Sequence, residues 1–453
     1  MRRTGRTIAN LALAGVAWLS TGATAQPVLT ADQAVKMALE RNSQIVSANA
    51  SVLGARGSLF SAWSGVLPQS TAALRGSYAQ TENQRGSQTL GQQEIPSATP
   101  RELGYATNPL NLSGSWSILD LSRISGILAA GSALQGARWH KLATRADVAL
   151  ATRQQFYQVV QGVKLIEVTT NAAKLARDSE RRVRVLFEVG SVSRNDVLQA
   201  QVQTAQSQLD SIAAVQSLLV QRDLLASIIG LESSKLGEVD TTLSFAPQDY
   251  HEDGLLKEAA ASRPDIKAAQ ARVKAAQQGV LSARLSWAPV VSLNASTAFG
   301  PVTRTQTLLA SGSTLTTRTE SDWQSSVSVA LSWNYWLSDI WSRMALSASA
   351  RAQLATAKDA YDVLQRNLAG EVHEAALTYQ QVLASETVAE AAVASATESM
   401  KLTQQKYNVG SATILDLITT QVALERAQSQ LVNALAAIRV AEARIDRVRG
   451  AGQ

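Results

Sequence analysis

The sequence predicts a mixed α/β membrane protein built by tandem duplication, with long helices and four strands per chain, too few to close a barrel alone. Three observations predict it. One turn occurs twice, as LFEVGSVSRNDVLQAQ at 186–201 and KYNVGSATILDLITTQ at 406–421, with its glycines 220 residues apart. The nine prolines leave 110–246 and 302–453 entirely free, and these tracts are rich in Ala, Gln, Leu, Arg and Glu, which form helices well. Between the helical tracts, stretches such as LNLSGSWSI (110–118) and VSVALSWNY (327–335) alternate apolar and polar residues with the period of a strand.

The elements follow in order. Residues 1–25 read as a secretory signal, with Arg2, Arg3 and Arg6 before an apolar stretch and ATA before Gln26. No later run approaches the roughly 18–20 uninterrupted apolar residues of a transmembrane helix. Loss of the signal lowers the net charge from +6 to +3, weak grounds for a nucleic-acid partner, and the absence of cysteine excludes disulfides and thiolate metal sites.

Repeat one spans 26–230, with a helix at 31–67, strands at about 68–80 and 109–118, a long helix at 119–189 and a helix at 193–230. A linker at 231–250 leads to repeat two, 251–450, with a helix at 251–288, strands at about 289–299 and 323–335, a long helix at 337–409 and a helix at 412–450. Ile45, Val52, Ala62 and Pro68 find their counterparts Ile266, Val273, Ala283 and Pro289 at an offset of 221, so the duplication reaches beyond the turn. Polar stretches at about 81–108 and 300–322 read as long loops. Each long helix matches the summed length of the two shorter helices of its repeat, 71 residues against 75 in the first, which predicts a helical hairpin about 100 Å tall.

The turns have a physical grammar. A helix stops at Val189, Gly190 supplies a left-handed residue, and Ser193 caps the next helix with Asp196 three residues on; Val409, Gly410, Thr413 and Asp416 repeat the pattern. Strands of about 9–11 residues with one apolar face suit a bilayer crossing. Trp63, Trp116, Trp287, Trp333, Trp336 and Trp341 cluster at the helix-side ends of the strands, where an aromatic girdle would lie, although core anchors of a soluble β-region would use the same residues. A membrane sheet must close, and its Ser- and Asn-rich inner face favours a wet lumen, so the economical assembly is a trimer with a twelve-stranded barrel.

The order signal, helix, strand, strand, long helix, V-G-S turn, helix, repeated once over the mature chain, resembles the TolC family of outer-membrane efflux and secretion channels. The resemblance implies a homotrimer whose barrel crosses the outer membrane and continues as a long α-helical periplasmic barrel. It would serve as a passive exit duct that meets a periplasmic adaptor and an inner-membrane RND or ABC transporter. By motif alignment, Asp416 matches an entrance aspartate ring, which would raise the carboxyl pKa values by mutual repulsion and favour cations. Thr419 and Ala412 stand where the family's best-known member has a second aspartate and an arginine. Tyr407 and Asp196 match residues that hold the closed entrance by a hydrogen bond between hairpins. Val189, Gly190, Ser191, Val409, Gly410 and Ser411 match the tips that abut the adaptor, though a plain helix stop would look the same.

Two other classes compete. The three histidines, His140, His251 and His373, are scattered, and no metal, cofactor or catalytic motif accompanies them, which argues against an enzyme. A trimeric structural or adhesive coiled-coil surface protein would share the Ala- and Gln-rich helices but would need neither the strands nor the duplication.

Overall fold

A computed structural model of the chain describes residues 28–74, 87–90, 93–96, 110–305, 317–333 and 337–450. The signal at 1–25, the outer part of the first expected strand (75–80) and Trp336 lie outside the described residues. Helices α1 (Ala31–Arg41) and α2 (Ser43–Ser64) lead to strand β1 (Gln69–Ala73), followed by β2 (Ser87–Leu90), β3 (Gln93–Pro96) and β4 (Leu110–Leu119). Helices α3 (Leu121–Glu188) and α4 (Arg194–Ile229) complete the first repeat. The second contains α5 (Glu252–Ser262), α6 (Pro264–Leu285), β5 (Val290–Thr305), β6 (Thr317–Ser332), α7 (Leu337–Asn408) and α8 (Ile414–Arg449).

Local chemistry explains the boundaries. Asp120 starts α3 by accepting hydrogen bonds from the backbone N–H groups of Ser122 and Arg123, at 3.1 and 3.2 Å. Four glycines are left-handed, all with φ of 76°: Gly190 and Gly230 end α3 and α4, and Gly410 and Gly450 end α7 and α8. The two pairs stand 220 residues apart, so the backbone itself carries the duplication.

The structure corrects three sequence expectations. The helices expected at 31–67 and 251–288 are each broken. Asn42 accepts from Gln44 N at 2.8 Å and caps α2, while Pro264 takes the first position of α6 and holds Arg263 extended at ψ 121°. The expected loop at 81–108 contains the β2–β3 hairpin, and β5 and β6 extend into the expected loop at 300–322. Ile118, expected on the apolar face, falls at a bulge, and Leu119 takes the place opposite Val291.

The chain forms two compact units, each drawing on both repeats. One comprises Met1–Met37, Thr152–Ser244 and Ala391–Ala436; the other comprises Ala38–Ala151, Phe245–Glu390 and Ala437–Gln453. The second unit holds an antiparallel sheet in the order β1-β4-β5-β6. Its register sorts side chains by polarity, because residues directly opposite share a face. Leu112, Thr297 and Ser325 lie in one row, Gly114, Ala295 and Val327 in the next, then Trp116, Leu293 and Val329. The other face carries Ser113, Ser296 and Ser326, then Ser115, Asn294 and Ser328, with the Ser296 and Ser326 hydroxyls 2.8 Å apart. On the apolar face Val327, Val329 and Leu331 of β6 are 74%, 69% and 69% exposed within the chain. Among the described residues, β1 and β6 each keep one unpaired edge.

The second unit has its own core, centred on Val372, Tyr379, Ile438 and Ile445. Beside it Arg263, only 3% exposed, pairs with Asp265 and Glu371, and Arg447 reaches Asp147 at 3.0 Å and the same two carboxylates at 3.8 and 3.6 Å.

Candidate functional site

The first unit contains both repeated turns, and their chemistry is nearly identical. At the first, the Asp196 carboxylate accepts from the N–H and hydroxyl of Ser193, each at 2.9 Å, and Asp196 N–H donates back to the Ser193 hydroxyl at 3.3 Å. At the second, Asp416 accepts from Thr413 N and Oγ1 at 2.9 and 2.7 Å, and its N–H donates to Thr413 Oγ1 at 3.2 Å. Each is a reciprocal capping box that satisfies the first free donors of the following helix. Nothing lies near the position a Cβ would take on Gly190 or Gly410, so their left-handed backbone alone demands glycine. Gly410→Ala is expected to cost about 1–2 kcal/mol and lower the midpoint of thermal unfolding by a few degrees without loss of secondary structure.

The turns are joined by a small core of Val183, Ala200, Tyr407, Ile414 and Leu417, supported by Leu186 and Val197. Beside it opens a cleft of about 630 Å³ lined by Arg182, Ser191, Asp196, Tyr407, Asn408 and Thr413, among others. Val189 and Val409 stand out from the turns, 69% and 79% exposed, and Gly190, Ser191, Gly410 and Ser411 are exposed with them.

Tyr407 and Asp196 are brought together, but not as expected. The Tyr407 ring is buried in the core and its hydroxyl makes no hydrogen bond within the chain, while the Asp196 carboxylate is engaged by Ser193. Burial, reinforced by the Asp196 charge and opposed by Arg182, holds the phenol above its ordinary pKa.

The contacts between hairpins come from residues the sequence reading missed. Arg182 Nη1 donates to Asn408 Oδ1 at 3.0 Å, joining the ends of α3 and α7. Farther into the unit, buried Gln421 donates to the hydroxyl of buried Ser179 at 2.8 Å, and Gln161 donates to Asn433 at 2.7 Å. The positions 220 residues from Arg182 and Asn408 are Leu402 and Glu188, so this contact is particular to one side of the duplication.

Asp416 is fully exposed, and the hydrogen bonds from the Thr413 backbone and hydroxyl hold its carboxyl below the ordinary range. Within one chain the shift is therefore opposite to the rise expected of a ring of three. Thr419 spends its hydroxyl on the Leu415 carbonyl at 2.7 Å.

Residues 255–451 match the protein-family model described as outer membrane efflux protein. This part of the chain belongs to the outer membrane efflux protein family. Structural likeness carries the family's architecture over both repeats. The outer membrane protein VceC of Vibrio cholerae is 19% identical and aligns over 93% of this chain and 96% of its own, with a TM-score of 0.75. The CmeC outer membrane channel of Campylobacter jejuni is 17% identical over 98% of this chain and 94% of its own, at 0.75. The open state of the Neisseria gonorrhoeae MtrE channel is 18% identical over 93% and 89%, at 0.72. No curated protein sequence matches the chain. Membership of the efflux family makes this an outer-membrane transport protein rather than an enzyme.

Proposed function

We propose that this chain forms, as a homotrimer, the outer-membrane exit duct of a tripartite efflux pump or type I secretion system. Its substrates would pass from a periplasmic adaptor and an RND or ABC inner-membrane transporter to the outside. The carrying observation is the sheet register, with apolar residues on one face, Ser and Asn on the other, and an open edge at each side. A lone sheet of this kind leaves backbone groups unpaired in hydrocarbon, whereas three copies joined β6 to β1 leave none and enclose a polar lumen. The described tryptophans of the girdle fit the same reading. Trp63, Trp116, Trp333 and Trp341 are exposed in the chain, Trp287 is half-buried under Arg343, and Trp116 Nε1 donates to the Val66 carbonyl at 2.9 Å. The two repeats, 26–230 and 251–450, then supply two strands and one helical hairpin each to the wall.

At the periplasmic end, the exposed Val-Gly-Ser turns are the adaptor contact, and three copies of Asp416 form a cation-selecting ring, with Thr419 beside it. The entrance opens by separation of the hairpins. Ala412 leaves no arginine in the second turn, and Arg182 of the first hairpin takes over the latch through Asn408, with Tyr407 as a buried plug. Arg182→Ala is expected to raise open probability several-fold, because breaking a solvent-exposed hydrogen bond costs only about 1 kcal/mol per chain.

Conductance of the purified protein in a planar bilayer tests the reading, with Asp416→Asn measured beside it. Cation-selective openings are expected, with selectivity lost in the variant. Silence from an inserted, folded trimer, persisting in Arg182→Ala, would instead favour a structural surface protein.

A further inference from the structure

The duplication places a second copy of one buried contact on the outside of the chain. Ser179 of α3 and Gln421 of α8 meet in a buried hydrogen bond of 2.8 Å, and both side chains are more than nine-tenths covered. At the offset of 220 their counterparts are Ser399 of α7 and Gln201 of α4, the same two residue types. Both counterparts are exposed. The same asymmetry holds for their neighbours. Ile418 of α8 is packed against the core between the turns, whereas its counterpart Leu198 of α4 is 50% exposed. Farther along α4, Val202, Leu209 and Ile212 are 70%, 60% and 59% exposed. Among the described residues, α4 is the one helix long and apolar enough on average to cross a membrane, although Gln and Ser interrupt it, and most of this apolar surface is uncovered.

We infer that this face of α4 is covered by α7 of a second copy of the chain, with Gln201 donating to the partner's Ser399 as Gln421 donates to Ser179 within the chain. The occupant follows from the repeat. A duplicated chain that packs the last helix of one repeat against the long helix of the other has already specified what complements α4, namely the long helix of repeat two. Such an interface joins unlike surfaces and is therefore head-to-tail, the kind that closes into a ring when the rotation allows. The inference rests on the homotrimer proposed above and deepens it by assigning the contact surface.

The absence of native cysteine allows a clean test with Gln201→Cys/Ser399→Cys in the full-length protein, treated with a short bis-maleimide and run under denaturing conditions. Covalent trimers are expected, with dimers at partial reaction. Ser179→Cys/Gln421→Cys should link only within a chain and run as monomer. Co-expressed Gln201→Cys and Ser399→Cys single variants should give dimers or trimers only where unlike variants adjoin, and neither variant alone should link. Monomer from the outer pair, alongside trimers from glutaraldehyde treatment of the same sample, would overturn the assigned surface and leave the trimer standing. Monomer from both reagents would remove the trimer itself. The substituted positions are exposed, so the helical circular dichroism should match that of the unmodified protein.

Discussion

Val329→Arg is expected to keep the protein out of the outer membrane. Val329 lies mid-strand in β6, opposite Leu293 and one row from Val327, and its side chain is 69% exposed in the chain. In the proposed barrel that exposure is to lipid. An arginine on the lipid face costs about 2–4 kcal/mol near the bilayer midplane, and the cost recurs in every copy of a trimer. The loss should appear in membrane fractionation as protein that stays soluble or is degraded. Ser328→Arg is the control. Its side chain points to the Ser- and Asn-bearing face, so the channel should assemble and change only its conductance and ion preference. Equal assembly of both variants would refute the assignment of the lipid face.

Arg263→Ala is expected to be the most destabilising single change outside the barrel. The guanidinium is almost wholly buried between Asp265 and Glu371, and its removal leaves those carboxylates with Arg447 alone, at 3.8 and 3.6 Å. Breaking a buried pair from one side costs about 3–5 kcal/mol, much of it the penalty of the charge left behind. The pH dependence gives the mechanism away. Burial alone would raise the Asp265 pKa, but the hydrogen bonds and charge of Arg263, then Arg447 and the Ile266 N–H, outweigh it and hold the carboxyl below its ordinary value. A depressed carboxyl contributes stability above the unfolded pKa, about 3.9, and loses it as pH falls through the lower folded value. Without Arg263 the burial effect dominates and the slope reverses, so acidification from pH 7 towards 5 should recover part of the variant's lost stability. Thermal unfolding across that range would read the sign directly.

The architecture was legible wherever a residue acts through its own backbone or through simple alternation. Gly190 and Gly410 announce a left-handed stop, and the alternation at Leu110–Leu119 announces a two-faced strand. What escaped depends on partners distant in sequence. Ile118 continues the alternation perfectly, and only pairing with β5 reveals that it sits in a bulge. Pro264 was visible, yet the surrounding Ala- and Gln-rich composition masked the break it makes between α5 and α6. Arg263 looks like any helix-surface arginine until Glu371, 108 residues away, closes over it. At the turns the capping carboxylates were readable because both partners lie three residues apart. The latch was not, because Arg182 and Asn408 belong to different repeats and have unlike counterparts in each. Tyr407 was carried over from a resemblance that fixes a residue type but not where its hydroxyl ends up.

The two unpaired edges of the sheet carry a genetic corollary. If the ring closes only by joining β6 of each subunit to β1 of the next, one copy with a spoiled edge breaks the circle for all three. A cell making equal amounts of intact and edge-defective subunits, mixing at random, would assemble only roughly one sound ring in eight. Edge lesions in β1 or β6 should therefore behave as dominant poisons, while a simple loss of expression would be silent beside an intact copy.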